Sequence, residues 1–420
     1  MIYFDLILVV SLFAYLFLNK KFDLLNPSVI FLLFHVFFVT FKCVQIFFFD
    51  AKIISNQWYS NFVTVEEIEK AIFLADISLL GFFAGFHLFT KKFQKKGQRF
   101  TQKFQELKEK KSILLKSYLL LLVPLGIFGF VFFSFVPGLS SEEIVYDTIP
   151  LILGSLGIVS AVILLYEKGF VWYYVVFFFI MVVAYSLQGT LRFRVILPFV
   201  FVLLLYLKIQ QLKYPPLKFV VLGFVLLLLS FPLKEIGKSY QEGETIRLTE
   251  VLSDSYEEVV SGESGDLSFV EQSAAMVGAI DVKDIIFYGG TYQPILFFWV
   301  PKKIWASKPR LNQWQFDISI SGREFGELGQ ISMLSGESYA NFRYLGVFFI
   351  PFLLARFYSY LFHVYQNVNY KHPGFLLLLL YNMVLFQIWR DGMISFIMFP
   401  ITNYLPIMLL YFIKKTIPVK

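Results

Sequence analysis

Apolar runs long enough to cross a bilayer alternate with short polar breaks along nearly the whole chain. A helix needs roughly 20 apolar residues to span the hydrocarbon, and about eleven runs approach that length. They are 2–18, 27–49, 67–90, 117–137, 148–166, 170–187, 192–208, 217–233, 339–362, 373–390 and 392–413. The runs are continuous, whereas a membrane barrel would show short alternating strands. The fold class this predicts is an all-α polytopic membrane protein. The same pattern divides the chain into a first set of spans (1–233), a long polar interruption (234–338) and a last set of spans (339–420).

Composition agrees with this reading. Of 420 residues, 57% are hydrophobic and only 16% charged, against about a quarter charged in ordinary soluble domains. The net charge of +7 does not point to nucleic acid, because much of it sits in one connection. Lys91, Lys92, Lys95, Lys96, Arg99, Lys103, Lys108, Lys110 and Lys111 crowd the segment 91–116, where the positive-inside rule reads them as a cytoplasmic loop. Phe93, Phe100, Phe104 and Leu107 recur there at helical spacing, which suits an interfacial helix in contact with anionic lipid as well as a plain solvated loop. Basic residues in the other short loops give a consistent topology, with the N-terminus and the 234–338 loop outside and the C-terminus cytoplasmic. Cys43 is the only cysteine, so there is no disulfide framework.

The outer loop has two halves. Acids dominate from Glu235 to Asp284, and bases from Lys302 to Arg323. Leu248–Val260 and Leu267–Ile280 are expected to be amphipathic helices over the membrane surface. Pro294–Trp305 is too short to span and reads as interfacial or re-entrant.

Cationic side chains gather at the predicted outer boundary: Arg192 and Arg194 in QGTLRFR, Lys302, Lys303, Lys308 and Arg310 in the loop, Arg323 in SGREFGE, and Arg390 in WRDG. An arginine held in mid-bilayer costs about 2.5–3.5 kcal/mol on insertion scales, so these must snorkel or face a polar interior. Guanidinium groups on one membrane face suit a lipid-linked phosphate or pyrophosphate, and they equally suit anchoring of helix ends at the headgroups. Tyr292, Trp305 and Trp314 could stack on sugar rings or belong to the ordinary aromatic belt. Glu324, Glu327 and Glu337 could act as a general base, Asp391 being a further carboxylate on that side. Glu337 could instead orient the start of the next span, and Glu324 could pair with Arg323. The histidines lie within spans or on the inner side, and the loop holds no His/Cys cluster, so no metal is expected in catalysis. Lys42 and Asp76 fall at similar depth in neighbouring spans and could pair, either structurally or as part of an ion path.

Four stretches resemble the bacterial O-antigen polymerases, the oligosaccharide repeat-unit polymerases of the Wzy type. FYGGTYQPILFFWVPKKIWASKP is similar to their Gly-Thr-Tyr to Lys-Pro segment, and GESYANFRYLGVFF to their Gly-Glu-x-Tyr-x-Asn-Phe-Gly element. QGTLRFR and WRDGMISF are similar to their arginine-bearing elements between spans. Arg343 stands where the family pattern has Gly, and RDG inverts its Gly-Asp order. The resemblance implies a metal-independent glycosyltransferase of the C type, without a cofactor, in the bacterial inner membrane. It would transfer a growing glycan from undecaprenyl pyrophosphate to a new lipid-linked repeat unit. Arg192, Arg194 and Arg390, helped by Lys302, Lys303, Arg310 or Arg323, would hold the pyrophosphate, with Glu337 or Glu324 as base. A flippase and a chain-length regulator would be its partners. An O-antigen ligase and a lipid-linked oligosaccharide flippase or exporter are the competing readings. Ligases tend to present an outer-loop histidine, and a flippase would spread charge through its spans.

Overall fold

Local chemistry sets several helix starts directly. Asn26 caps the helix beginning at Pro27, its Oδ1 accepting from the Ser28 N–H at 3.0 Å, while proline supplies a first residue that needs no hydrogen bond. Thr64 and Glu67 form a reciprocal capping box at the start of Val65–His87.

The structure, a computed structural model, describes residues 2–48, 63–104, 113–135, 148–186, 193–217, 219–221, 232, 236, 268–297, 300, 304–305, 307–308, 313–318 and 332–416. Among these residues there are helices and no strand. The first helices are α1 (Ile2–Leu18), then α2 (Pro27–His35), which runs through a π turn (Val36–Thr40) into α3 (Phe41–Phe48). Next come α4 (Val65–His87), α5 (Thr90–Phe104), α6 (Ile113–Phe135), α7 (Thr148–Lys168), α8 (Trp172–Ser186) and α9 (Phe193–Ile209). After the residues not described come α10 (Phe269–Lys283), a 3-10 turn (Gly290–Tyr292), α11 (Gln293–Phe297) and α12 (Gln313–Ile318). The chain finishes with α13 (Met333–Tyr365), α14 (Pro373–Asp391), α15 (Ile394–Thr402) and α16 (Leu405–Thr416).

Pro27–Ile46, Met333–Tyr365 and Pro373–Asp391 are each long and apolar enough to cross a membrane. Two bent pairs, Val65–His87 with Thr90–Gln98 (41°) and Ile394–Thr402 with Leu405–Lys415 (82°), raise the number to five if each is one span. These are the helices of a membrane protein. Most of the predicted run 217–233 and the segment Leu248–Val260 lie outside the described residues.

Three expectations change. The run 392–413 is two helices, because Pro406 lacks an N–H and its ring would strike the carbonyl four residues back. The segment predicted to lie over the membrane surface, Leu267–Ile280, is instead α10, buried at every residue from Phe269 to Ile280. Its small residues admit close neighbours, and its polar ones find partners: Gln272 donates to Ser268 Oγ at 2.9 Å and Ser273 to the Ser332 carbonyl at 3.1 Å. Finally, Lys42 does not pair with Asp76. It lies 3.0 Å from Glu271 of α10, while Asp76 faces His35 at 3.3 Å. Burial pushes the Glu271 carboxyl up, against the pull of Lys42.

The chain divides into two compact units. The first holds Met1–Phe93, Glu258–Phe362 and Leu385–Ile397. Its centre is α4, flanked by α1, α2 and α10, with Phe31 stacked on Phe82 at 4.1 Å. Gly81 and Gly85 let α4 approach α13 at backbone contact: a Cβ would stand 2.3 Å from the Phe348 carbonyl oxygen at Gly81 and 2.1 Å from that of Phe352 at Gly85. A small-xxx-small seam of this kind is a common way for membrane helices to pack.

The second unit holds Gln94–Glu257, His363–Val384 and Met398–Lys420. Here α6 packs along α7. Tyr166 donates to the Tyr370 carbonyl at 2.8 Å, and Lys414 pairs with Glu167 at 2.7 Å with its ammonium over the Tyr166 ring.

Replacing Gly85 with Val puts three carbons where a backbone carbonyl stands, and no side-chain rotation relieves it. The expected loss is about 1–3 kcal/mol or more, read as a lower melting temperature of the detergent-solubilised protein. A Gly85→Val protein that melts like wild type would show that the seam is not packed this way.

Candidate functional site

A helix break builds the site. Inside α13, Phe342 (φ −142°, ψ 23°) and Arg343 (φ 52°, ψ −146°) leave helical geometry, so the carbonyls before them lose their intrahelical donors. The loop supplies replacements: the Phe287 N–H donates to the Ala340 carbonyl at 3.0 Å and the Tyr288 N–H to the Asn341 carbonyl at 3.1 Å. The Asn341 side chain continues the junction. Its Oδ1 accepts from the Gly289 N–H at 2.9 Å, and its Nδ2 donates to Thr291 Oγ1 at 2.7 Å and to the Glu337 carbonyl at 2.9 Å.

Glu337 closes the arrangement from the first turns of α13. Thr291 donates to its Oε1 at 3.1 Å, and the Met393 N–H donates to its Oε2 at 2.6 Å. Met393 follows Gly392, whose φ of +89° lies in the left-handed region and whose missing Cβ would stand 2.1 Å from Glu337 Oε2. Only glycine fits there. One buried carboxylate, 2% exposed, therefore joins the FYGGTY, GESYAN and WRDG stretches. Each of its oxygens accepts one hydrogen bond, and this geometry lets Glu337 brace the start of the span, one of the roles its sequence position left open.

Arg390 sits at the edge of this brace. Phe38, Phe269 and Trp389 form an aromatic floor, with centroids 4.6 Å apart for Phe38–Phe269 and 5.4 Å for Phe38–Trp389. The Arg390 guanidinium lies 5.8 Å over the Phe269 ring and 3.6 Å from Asp391; Asp391 also accepts from Gln387. Tyr292 is half-buried, its hydroxyl close to Asn341, Ser338 and Thr291, and burial together with Glu337 pushes its phenol up. Trp305 is half-buried, donates to Ser307 Oγ at 2.9 Å and meets Phe297 edge-on at 5.5 Å. Trp314 is buried and meets Phe287 edge-on at 6.1 Å.

Arg192, Lys302, Lys303, Arg310, Arg323, Glu324 and Glu327 lie outside the described residues, and Arg194 lies in α9. The structure thus brings together Glu337 and Tyr292, with Arg390 two residues before the Gly392 turn that receives Glu337. It adds Thr291 and Asn341, which sequence reasoning left as motif letters although both stand inside the quoted stretches. It also adds Asp5 and His35 beside Asp76; three ionisable residues in three apolar runs were the available signal.

Arg343 holds a conformation nearly reserved for glycine. Its guanidinium reaches Asp281 at 3.0 Å and Asp284 at 2.9 Å, and Asp281 also binds Lys70 and the Tyr339 hydroxyl. Backbone strain of this kind costs about 1–3 kcal/mol, whereas partly exposed ion pairs return about 0.2–1 kcal/mol each. Arg343→Gly is therefore expected to leave the melting temperature unchanged or slightly raised; a fall worth more than about 2 kcal/mol would show that the ion pairs dominate.

Glu337→Ala strands the Met393 N–H and the Thr291 hydroxyl, at about 1–3 kcal/mol for each buried group. Its melting temperature should fall clearly, and that of Glu337→Gln less, because the amide keeps one acceptor. Equal stability of all three proteins would remove the brace. No protein-family model, no curated protein and no solved structure matches this chain.

Proposed function

We propose that the chain is a repeat-unit polymerase of the O-antigen type, a C-type glycosyltransferase with about eleven spans in the bacterial inner membrane. It would act on undecaprenyl-pyrophosphate-linked oligosaccharides at the outer face. The observation that carries the reading is the meeting of three stretches, distant in sequence, on the Glu337 carboxylate: the same stretches that carry the family resemblance. Support also comes from Arg390, held over an aromatic floor at the rim of that junction.

In this reading a hydroxyl oxygen at the nonreducing end of the acceptor attacks the anomeric carbon of the donor glycan. The bond from that carbon to pyrophosphate breaks, and the hydroxyl proton passes to a carboxylate. Glu337, whose oxygens each accept one hydrogen bond and keep a second lone pair, or Glu324 takes that proton. Arg390, with Arg192 and Arg194, meets the charge that develops on the leaving pyrophosphate, the kind of electrostatic stabilisation that dominates such transfers. Lipid anchors on both substrates confine them to one plane and raise their effective concentration. Polymer length would be set by a partner protein, after a flippase has delivered the units.

Purified protein mixed with lipid-linked repeat units should give a ladder of products. Arg390→Ala is expected to lower its yield by about 100-fold or more, in line with the loss of one transition-state donor, at unchanged protein level. A full ladder from Arg390→Ala would remove the phosphate role. In cells, deletion should leave single repeats on the core lipid; loss of all surface glycan would point to a flippase, and unlinked polymer to a ligase.

A further inference from the structure

Away from the brace, three ionisable side chains from three apolar helices of the first unit converge. Asp5 of α1, His35 of α2 and Asp76 of α4 are all fully buried. His35 Nε2 lies 2.7 Å from Asp5 Oδ1 and 3.3 Å from Asp76 Oδ1, and one ligating atom from each of the three falls within 4.8 Å of the others. Thr40 adds a hydroxyl, which donates to Asp5 Oδ1 at 3.2 Å. The π turn makes this possible. Its i→i+5 bond, from the Phe41 N–H to the Val36 carbonyl, widens the turn and brings Thr40 round to the side of His35. In a regular α-helix residues five apart point about 140° away from each other.

The charge and hydrogen-bond balance of the cluster is incomplete. Two carboxylates outweigh one imidazole even when the ring is doubly protonated. The nearest described lysine on the same run, Lys42, is committed to Glu271. Asp5 Oδ2 and Asp76 Oδ2 have no hydrogen-bond donor, and Asp76 Oδ1 has only the 3.3 Å approach of His35 Nε2, a costly state for charged oxygens buried between apolar helices. A divalent cation resolves both deficits together, since it neutralises two carboxylates beside a neutral imidazole and gives the orphaned oxygens a partner.

The donor set of one nitrogen and carboxylate oxygens suits a borderline first-row ion. Ligand bonds of about 2.0–2.2 Å in a tetrahedral site put donor atoms roughly 3.4 Å apart, close to the His35–Asp76 separation of 3.3 Å. Asp5 can offer its unpartnered Oδ2 while Oδ1 stays on Thr40.

We propose that Asp5, His35 and Asp76 form a binding site for a divalent first-row metal ion, Zn²⁺ being the best match, which ties α1, α2 and α4 together. The ion is structural. None of its ligands belongs to the Glu337 brace or the WRDG turn, so the site stands or falls independently of the polymerase reading.

The test uses the full-length protein in detergent, stripped with chelator and titrated with Co²⁺ and then Zn²⁺. Expected are one Co²⁺ per chain with visible absorption bands, their loss when Zn²⁺ displaces it, and a higher melting temperature of the loaded protein. Asp76→Asn and His35→Gln should weaken binding by about 100-fold or more, beyond the range seen when a supporting residue is lost. X-ray absorption of the Zn²⁺-loaded wild type needs no variant to fold: it should show one imidazole and oxygen neighbours without sulfur. Absence of a bound equivalent of either ion in the wild type, sulfur in the ion's shell, or undiminished binding in both folded variants would overturn the assignment.

Discussion

The hydrogen-bonded Glu337 carboxylate is the interaction on which the described part of the site depends. Buried at the start of a long apolar helix, it has no water to fall back on, so each donor that reaches it is worth more than at a surface and costs more to lose. Thr291 and the Met393 backbone reach it from either side in the sequence, 46 residues before it and 56 after. Each of its oxygens accepts a single hydrogen bond and keeps a second lone pair, so it can hold the three stretches together without being closed to a proton.

A second constraint is that backbone polar groups in or near hydrocarbon must be satisfied within the protein. The broken helix α13 meets it by borrowing. The carbonyls released at Phe342–Arg343 are taken by the Phe287 and Tyr288 N–H groups, so the loop docks because the helix is interrupted, and the interruption persists because the loop is docked. The π turn after His35 works on the same principle, with a widened turn that keeps its hydrogen bond while re-aiming Thr40.

The helices were legible in the sequence because run length and apolar continuity dictate them. What the runs could not convey is where a helix is interrupted. The break at Arg343 has no Pro or Gly to announce it, and the π turn lies in VFFVT, ordinary helical residues by composition. The surface placement expected for α10 failed because its mixed polar and small residues look amphipathic, while their partners, Ser268 and the Ser332 carbonyl, are fixed only by the fold. Depth alone offers Asp76 as a partner for Lys42, but depth does not say which face of a helix a side chain occupies, and Glu271 comes from a segment whose pattern suits the membrane surface. Glu337, Tyr292 and Arg390 are legible as candidates through their motifs, but the partners of Glu337 need the geometry of the Gly392 turn.

The discontinuity in α13 also bears on how the protein answers the bilayer around it. A continuous rod would carry any tilt imposed by a thicker or thinner lipid layer straight through to Glu337 and its partners. Two short rods meeting at Phe342–Arg343 form a joint instead. Below it, the Gly81–Gly85 contact keeps the lower rod against α4; above it, the upper rod is fastened to the loop. The alignment of the three stretches around the carboxylate is then set by the upper rod and its loop, and the direction of the lower rod is set separately by α4.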